Sequence, residues 1–412
     1  MMLFNPVLLD AAGMAVTNNF IATPFMLFGI LAFLRGVEGS TPKSRTLFSA
    51  GLLLSLGAGF KANYLLVLPP VGIAALLMPS GASLGTRVRG SLMPLVVGGL
   101  IGGLPTFYFV AQDPAGFLAH CLSFHRGPQI AYWQAHPNIH DPKVMGIRDK
   151  LLMAHQIWLS GATILLPLLI AVLAATAAYS SPAKGLAWLN RFRTGPIMLM
   201  AAIVMISVAA SLLPTPSFPQ YHSMAFPFAI LLIGLMLHAL DQPRQTRARP
   251  VIAAGLALAT IAGGPILFLS LPRLVVPGSW TGIVVHEDAA KLRASVERAG
   301  AAGPMATLFP VYALEGGLPV YPQLALGQFV YRASDYIPAG ERRHFRNLVS
   351  PGTIGAMLAG ERPSAILVGE PGPLEDPLMQ FGRDNGYAIE KVELRRSEDS
   401  AAPLLMVARP KI

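Results

Sequence analysis

Blocks of apolar residues dominate the first two thirds of the chain. Six blocks come close to the roughly 20 residues that a helix needs to cross about 30 Å of hydrocarbon. They are Phe20–Leu34, Leu92–Val110, Ile157–Ala178, Ile197–Leu213, Met224–Leu240 and Val251–Leu271. Only 13% of the 412 residues are charged, against about 25% in soluble domains. The sequence therefore predicts a polytopic α-helical membrane protein.

A further apolar block, Leu47–Met78, is too long for one crossing and carries a single charge, Lys61, near its centre. We interpret this block as a helical hairpin of two short crossings, Leu47–Phe60 and Tyr64–Met78, with Lys61 at the tip. The predicted crossings then number eight, near 18–34, 47–60, 64–78, 92–111, 156–178, 196–213, 223–240 and 251–272. Residues 1–272 form the predicted membrane domain.

The basic residues between the crossings predict the orientation. With eight crossings, four basic clusters fall on one side, namely Arg35/Lys43/Arg45, Arg87/Arg89, Lys184/Arg191/Arg193 and Arg244/Arg247/Arg249. The positive-inside rule assigns that side to the cytoplasm. The N-terminus, Lys61, the loop 112–156 and everything after Pro272 are then predicted on the outer side. The formal charge of +10 reflects this topology, and no nucleic-acid-binding motif accompanies it.

Residues 281–412 have the pattern of a small α/β domain on the outer face. "HEDAAKLRASVERAG" has helical spacing and ends at a glycine. Four short strands bounded by Pro and Gly are predicted in "PMATLFPVY", "PSAILVGE", "YAIEKVEL" and "PLLMVARP". The single cysteine, Cys121, excludes an intrachain disulfide. The first residues do not have the pattern of a cleavable signal peptide.

Candidate binding residues concentrate on the predicted outer side. The loop 112–156 contains His125, Arg126, Tyr132 and Trp133, and the loop before the seventh crossing contains Gln220, Tyr221 and His222. Lys61 is predicted at the same depth, so cationic, aromatic and polar groups meet at one interface. This combination suits an amphiphilic substrate with a charged head.

Each of these residues also has a simpler interpretation. Lys61 either binds a phosphate oxygen, which suits a compact ammonium, or extends its charge to the membrane surface from a helix end. Tyr132 and Trp133 either anchor the chain at the interface or stack on a sugar ring. The histidines of the loop match no metal-ligand spacing. No metal or other cofactor is therefore predicted, although a divalent ion stays an open alternative.

Three motifs resemble those of a known family. "GLLLSLGAGFKANYLLVLPP", "FYFVAQDPAGFLAHCLSFHRGP" and "PTPSFPQYHSMAFPFAILLIGLML" look like parts of the C-type membrane glycosyltransferases, which use polyprenyl-phosphate sugars. Within that superfamily they are most similar to the bacterial branch of protein mannosyltransferases and lipid A aminoarabinose transferases. The resemblance covers nearly all of residues 1–272.

The resemblance implies transfer of a sugar from a polyprenyl-phosphate carrier to an outer-leaflet or envelope acceptor, which can be a glycan, a lipid or a protein. It implies a location in the bacterial inner membrane. Lys61 would be a phosphate contact and Arg126 a second one, while Tyr221 and His222 match the "QY" element beside the carrier site. A carboxylate would act as base on the acceptor hydroxyl.

The family carries that carboxylate in a large outer loop near its N-terminus, and this sequence has no such loop. We therefore expect the N-terminal part to be lacking and the protein to be a truncated, inactive copy unless that part exists. Within the sequence, Asp10 is a weak candidate for the base.

Two other classes of function stay open. One is a non-catalytic membrane protein that binds lipid-linked sugars or assists envelope polysaccharide assembly. The other is a secondary transporter, which is less favoured because the two halves of the chain show neither inverted symmetry nor paired broken helices.

Overall fold

The structure is a computed structural model, and it describes residues 18–136, 145–179, 192–369, 372–395 and 404–407. The helices are α1 Asn18–Gly36, α2 Ser44–Phe60, α3 Leu68–Leu77, α4 Leu84–Gly102, α5 Leu104–Gln112, α6 Pro114–Leu118, α7 Phe124–Arg126, α8 Pro128–Ala135, α9 Ile147–Trp158, α10 Leu165–Tyr179, α11 Gly195–Leu212, α12 Phe226–His238, α13 Gln242–Val275, α14 Thr281–Arg298, α15 Pro310–Glu315, α16 Gln328–Tyr331, α17 Ile354–Gly360 and α18 Asp376–Asp384. The strands are β1 Met305–Thr307, β2 Ala365–Val368, β3 Ala388–Lys391 and β4 Leu404–Val407.

The chain forms two compact units. The first unit comprises Met1–Asp113 and Asp141–Leu269, and the second comprises Pro114–His140 and Ser270–Ile412. The predicted division was different, because it assigned the whole loop 112–156 to the membrane domain and began the α/β domain at residue 281. In the structure α13 continues to Val275, so the predicted boundary at Pro272 lies within a helix.

Several helices of the first unit are long and apolar enough to cross a membrane. Four qualify by length and composition among the described residues, namely Gly161–Ala178, Gly195–Leu212, Pro219–His238 and Gln242–Pro265. A fifth is the bent pair α4 and α5, whose axes differ by 56°. Two shorter apolar helices are Ile21–Gly36 and Ala62–Leu77. These helices agree with a helical membrane protein, while the number of eight crossings stays a prediction.

The predicted crossing at 156–178 differs from the observed helices. Helix α9 ends at Trp158, and a 3₁₀ turn, Gly161–Ile164, starts the next apolar segment. The interruption contains Gly161 at φ +53°, a conformation that glycine adopts without steric cost. The apolar pattern is continuous across this point, so periodicity alone could not predict the break.

The helix is interrupted at Lys61, as the sequence predicts. Helix α2 ends at Phe60, and Lys61 itself is extended with φ −148° and ψ 110°. A 3₁₀ turn, Ala62–Val67, then leads into α3. Helix α2 packs mainly on α1 and α4, whereas α3 packs on α11 and on the first part of α4. The break is therefore confirmed, and the membrane-crossing hairpin stays a prediction.

Glycines allow α2 and α4 to pack so closely that their backbones are in contact. A Cβ atom added at Gly51, Gly98 or Gly102 would collide with a carbonyl oxygen of the facing helix, which belongs to Leu95, Phe48 and Leu52 respectively. Small residues at such contacts are typical of helix pairs in membranes, where close packing and not the hydrophobic effect holds the helices together. This contact fixes α2 within the first unit.

We predict that Gly98→Ala destabilises the first unit by about 1–3 kcal/mol, because the added methyl group overpacks against the Phe48 backbone. Gly72 in α3 is the matched control, since nothing lies within 4 Å of its added Cβ. Gly72→Ala should be neutral or stabilising by roughly 0.5–1 kcal/mol, the helix penalty of glycine. Unfolding by sodium dodecyl sulfate in mixed micelles measures both, and equal effects would contradict the packing argument.

The second unit contains a four-stranded sheet with the order β1-β2-β4-β3. β1 and β2 are parallel, and β4 is antiparallel to both β2 and β3. Alternate strand residues face two separate apolar clusters. One cluster contains Ile366 and Met406 with α17 and α18, and the other contains Leu367 and Leu405 with α14 and α15. The four predicted strands and the helix in "HEDAAKLRASVERAG" are confirmed.

Candidate functional site

In the first unit, the candidate site surrounds the 3₁₀ turn Pro219–Met224. The turn follows residues 213–218, which contain Pro214 and Pro216 and which we call the proline-rich loop. The Nζ atom of Lys61 lies 5.1 Å from the ring centroid of Tyr221, a distance typical of a cation–π contact. Both side chains are half-buried, as is Gln220. The structure thus brings together Lys61, Gln220, Tyr221 and His222, which the sequence predicts as substrate-binding residues.

Backbone contacts fix the turn in place. The Oγ of Ser211, at the end of α11, lies 2.9 Å from the carbonyl oxygen of Tyr221 and 2.8 Å from that of Ser207, so its single proton is shared between the two acceptors. The Oγ of Ser223 donates to the carbonyl oxygen of Gln220 at 2.7 Å. The aromatic rings of Phe218 and Tyr221 meet edge to face with centroids 5.8 Å apart. The position of Tyr221 is therefore set by α11 as well as by its own turn.

Lys150 is a member of this region that the sequence analysis missed. Its Nζ donates to the carbonyl oxygen of Leu212 at 3.1 Å and to Oγ1 of Thr215 at 2.7 Å. The residue is only 6% exposed, and burial lowers the pKa of its amine. Because Leu212 ends α11, the ammonium lies at the negative end of the helix dipole. Lys150 holds the start of the proline-rich loop against α9.

His222 is fully buried, and its neighbour Trp158 determines which ring nitrogen carries the proton. The indole Nε1–H of Trp158 lies 3.3 Å from Nδ1 of His222. Indole nitrogen only donates, so Nδ1 must accept and the neutral ring carries its proton on Nε2. Nε2 is buried, and no hydrogen-bond partner for it lies among the residues that the structure describes. A buried N–H donor without an acceptor is costly, so this atom is a candidate contact for a ligand or a water.

The other predicted binding residues belong to the second unit. Tyr132 and Trp133 are each only 2% exposed. The Arg332 guanidinium lies 4.6 Å from the Trp133 centroid and 5.6 Å from that of Tyr132. Both interpretations of these rings, an interfacial anchor or a sugar-stacking platform, require exposed faces. In the structure the two rings pack inside the second unit, and both interpretations stay predictions.

His125 and Arg126 are exposed on the second unit. Nδ1–H of His125 donates to Oε1 of Gln129 at 2.6 Å, which leaves Nε2 available at the surface. Arg126 forms no ion pair with any residue in the described ranges. The eight predicted binding residues therefore divide into two groups of four, one in each unit.

Asp10, the weak candidate for a catalytic base, lies outside the described residues. Within the described part of the chain, no group of three or more His, Cys, Asp or Glu side chains is placed to hold a metal ion. Comparisons with known protein families, curated proteins and solved structures found no match to this chain.

We predict that Trp158→Phe removes the preference of the neutral His222 ring for a proton on Nε2, because the variant lacks the donor to Nδ1. The wild-type protein, labelled with ¹⁵N-histidine, should show His222 with Nδ1 unprotonated and Nε2 protonated. His222→Gln removes that signal and so assigns it among the nine histidines. The variant Trp158→Phe should give a mixture of the two neutral forms, while Trp280→Phe, at a half-exposed tryptophan, should not. Protonated Nδ1 in the wild-type protein would refute the assignment.

Proposed function

We propose that this protein is a membrane glycosyltransferase of the polyprenyl-phosphate-dependent class, and that it holds the carrier phosphate at Lys61, Tyr221 and His222. The observation that carries the proposal is the Lys61–Tyr221 contact at a helix break within an apolar block. An ammonium in such surroundings is costly and usually serves an ionic partner or a transport path. A lipid phosphate supplies an anion at the membrane surface, where the predicted topology has Lys61.

The three side chains offer hydrogen-bond donors of different kinds. Lys61 has a charged ammonium, Tyr221 has a phenolic O–H and His222 has the Nε2–H that lacks an acceptor among the described residues. Phosphate oxygens accept several hydrogen bonds, and those from a charged donor are the strongest. A phosphate beside the turn would give the His222 proton its acceptor, and the Lys61 ammonium would donate a charge-assisted hydrogen bond to it.

In the proposed reaction the phosphate is the leaving group. The bond between sugar C1 and the phosphate oxygen breaks, and its electron pair stays on the phosphate. The acceptor oxygen forms the new bond to C1, and its proton passes to a carboxylate base. Lys61 would stabilise the charge that develops on the phosphate. No described residue is assigned the role of the base.

The proposal includes the topology that the basic residues predict. The chain would cross the bacterial inner membrane eight times, with Lys61, the Pro219–Met224 turn and the second unit on the outer face. The acceptor would then be a glycan, lipid or protein of the outer leaflet or envelope. The four to five long apolar helices support the membrane location, and the positive-inside rule supports the orientation.

A second candidate is a protein that binds lipid-linked sugars without cleaving them, for example in envelope polysaccharide assembly. The composition of the site favours this candidate. The groups around the turn are hydrogen-bond donors suited to binding a phosphate, and none of them is assigned as a catalytic base. The two candidates differ in whether polyprenyl phosphate is released as a product. Incubation of the reconstituted protein with a radiolabelled polyprenyl-phosphate sugar and cell-envelope acceptors releases polyprenyl phosphate only if transfer occurs.

We predict that Lys61→Ala weakens binding of a polyprenyl phosphate about 10-fold to 100-fold. A hydrogen bond to a charged group contributes about 1.5–3 kcal/mol, and 1.4 kcal/mol corresponds to a factor of ten. Binding is measured with the full-length protein in nanodiscs, and the uncharged polyprenol of equal length reports the contribution of the tail. Lys61→Arg keeps the charge and should retain part of the affinity.

Lys43→Ala is the matched control, because Lys43 and Lys61 flank the same helix, α2. The 17 residues of α2 separate the two lysines by about 25 Å, so Lys43 cannot reach the same phosphate. Its substitution should leave binding unchanged. If Lys61→Ala binds polyprenyl phosphate as tightly as the wild-type protein, the phosphate role of Lys61 is wrong. If the wild-type protein does not distinguish the phosphate from the alcohol, the proposed substrate class is wrong.

A further inference from the structure

An apolar stripe is exposed on the part of the second unit that follows α5 in the chain. Leu118 is 55% exposed and Leu122 is 42% exposed, with the exposed Cys121 between them. A π-helical turn, Ala119–Ser123, joins α6 to α7 here. The opposite side of the same segment is buried through Gly116, Ala119 and Phe124. The segment therefore has apolar side chains on both sides, one packed within the second unit and one exposed.

Contacts within the second unit extend this stripe. The Phe124 ring lies 5.5 Å from that of Phe329 and 6.1 Å from that of Phe345, measured between centroids. Nε2–H of His120 donates to the carbonyl oxygen of His344 at 3.0 Å. Leu326, just before α16, is 70% exposed, and Phe329 is 42% exposed. Two stretches that are about 200 residues apart in sequence thus form one surface, which we call the apolar–basic face.

Arginines accompany the exposed apolar side chains. Arg126, Arg343 and Arg346 are exposed, and none of them forms an ion pair within the ranges that the structure describes. Nε–H of Arg343 donates to Nε2 of His344 at 3.4 Å. The acidic residues nearest in sequence are Asp113, directly before α6, and Asp335 and Glu341, before Arg343. The basic character of the face therefore rests on these three exposed arginines, which no described ion pair neutralises.

We propose that the apolar–basic face docks onto a bilayer surface that contains anionic phospholipids. Leu118, Leu122 and Leu326 would enter the interface between headgroups and acyl chains, and the three arginines would bind headgroup phosphates. Apolar side chains combined with arginines are the composition of helices that lie in the plane of a membrane. This docking is independent of the phosphate site at Lys61.

Chain continuity indicates the bilayer as the partner. Helix α6 begins at Pro114, and α5, the second half of the bent apolar pair, ends at Gln112. A single residue separates the two helices, and consecutive Cα atoms are only about 4 Å apart. If the bent pair crosses the membrane, the stripe begins within a few ångströms of the membrane surface. Charge complementarity then favours an anionic surface over a neutral one.

Cys121 supplies the probe, because it is the only cysteine in the sequence and lies between the two exposed leucines. The full-length protein is labelled there with an environment-sensitive dye and reconstituted into vesicles of phosphatidylcholine with or without phosphatidylglycerol. We expect the emission to shift to the blue and to be quenched by lipid-bound quenchers in the anionic vesicles. High salt should weaken both effects, since it screens exposed charges.

Two sets of variants separate the contributions. The triple variant Arg126→Glu, Arg343→Glu and Arg346→Glu should abolish the dependence on phosphatidylglycerol, and Leu118→Asn with Leu122→Asn should abolish the blue shift in both vesicles. Arg383→Glu, at an exposed arginine of α18, is the matched control and should change neither. Unfolding curves verify that each variant is folded.

Two results would overturn the proposal. One is a dye that stays accessible to a water-soluble quencher in both kinds of vesicle. The other is protection of the dye in detergent without lipid together with crosslinking of Cys121 between copies, which would make the face a protein–protein interface. Equal protection in the two vesicles would retain the bilayer contact but overturn its anionic specificity.

Discussion

The close contact between α2 and α4 is the constraint on which the candidate site of the first unit depends. Backbone carbonyl oxygens of each helix occupy the space that a side chain at Gly51 or Gly98 would need. In hydrocarbon there is no water to drive helices together, so such contacts supply the packing energy. A helix held in this way has a fixed end, and the end of α2 is the residue before Lys61. The position of the ammonium is therefore determined by glycines that lie up to several turns away.

The partner of Lys61 is positioned from different elements. Tyr221 belongs to a 3₁₀ turn whose backbone is bonded by Ser211 of α11, while Lys150 of α9 holds the loop just before it. Trp158, also of α9, orients His222. The serine hydroxyl contacts a carbonyl oxygen of the turn, and the ammonium donates to the last carbonyl oxygen of α11 and to the Thr215 hydroxyl of the loop. The groups that we propose to bind phosphate are thus supported by side chains that satisfy backbone carbonyls.

Local sequence patterns predicted the elements that depend on local physics. The helix break at Lys61 follows from an apolar block too long for one crossing, and β2 and β4 follow from short apolar runs bounded by Pro and Gly. Contacts between distant parts of the chain could not be predicted in this way. Lys150 meets Leu212 and Thr215, which are 62 and 65 residues away, and nothing near Lys150 indicates them.

The burial of Tyr132 and Trp133 shows the same limit. Their sequence is that of an interfacial anchor, because a Tyr-Trp pair in a polar loop beside apolar blocks is typical of a membrane interface. The guanidinium that covers them comes from Arg332, in a part of the chain that the sequence analysis assigned to another domain. A single sequence contains no signal for that contact, since cation–π pairs require no spacing along the chain.

The proton on Nε2 of His222 also bears on the charge of the proposed site. A sugar linked to a polyprenol through one phosphate carries a single negative charge. Lys61 supplies one positive charge, and Tyr221 and a neutral His222 add donors without adding charge. A second cation in direct contact would leave an excess charge in apolar surroundings, where desolvation is costly. Lys150 does not add such an excess, because its ammonium faces the negative end of α11. By donating to Nδ1, Trp158 disfavours the doubly protonated ring, which would keep the proposed site matched to a phosphodiester.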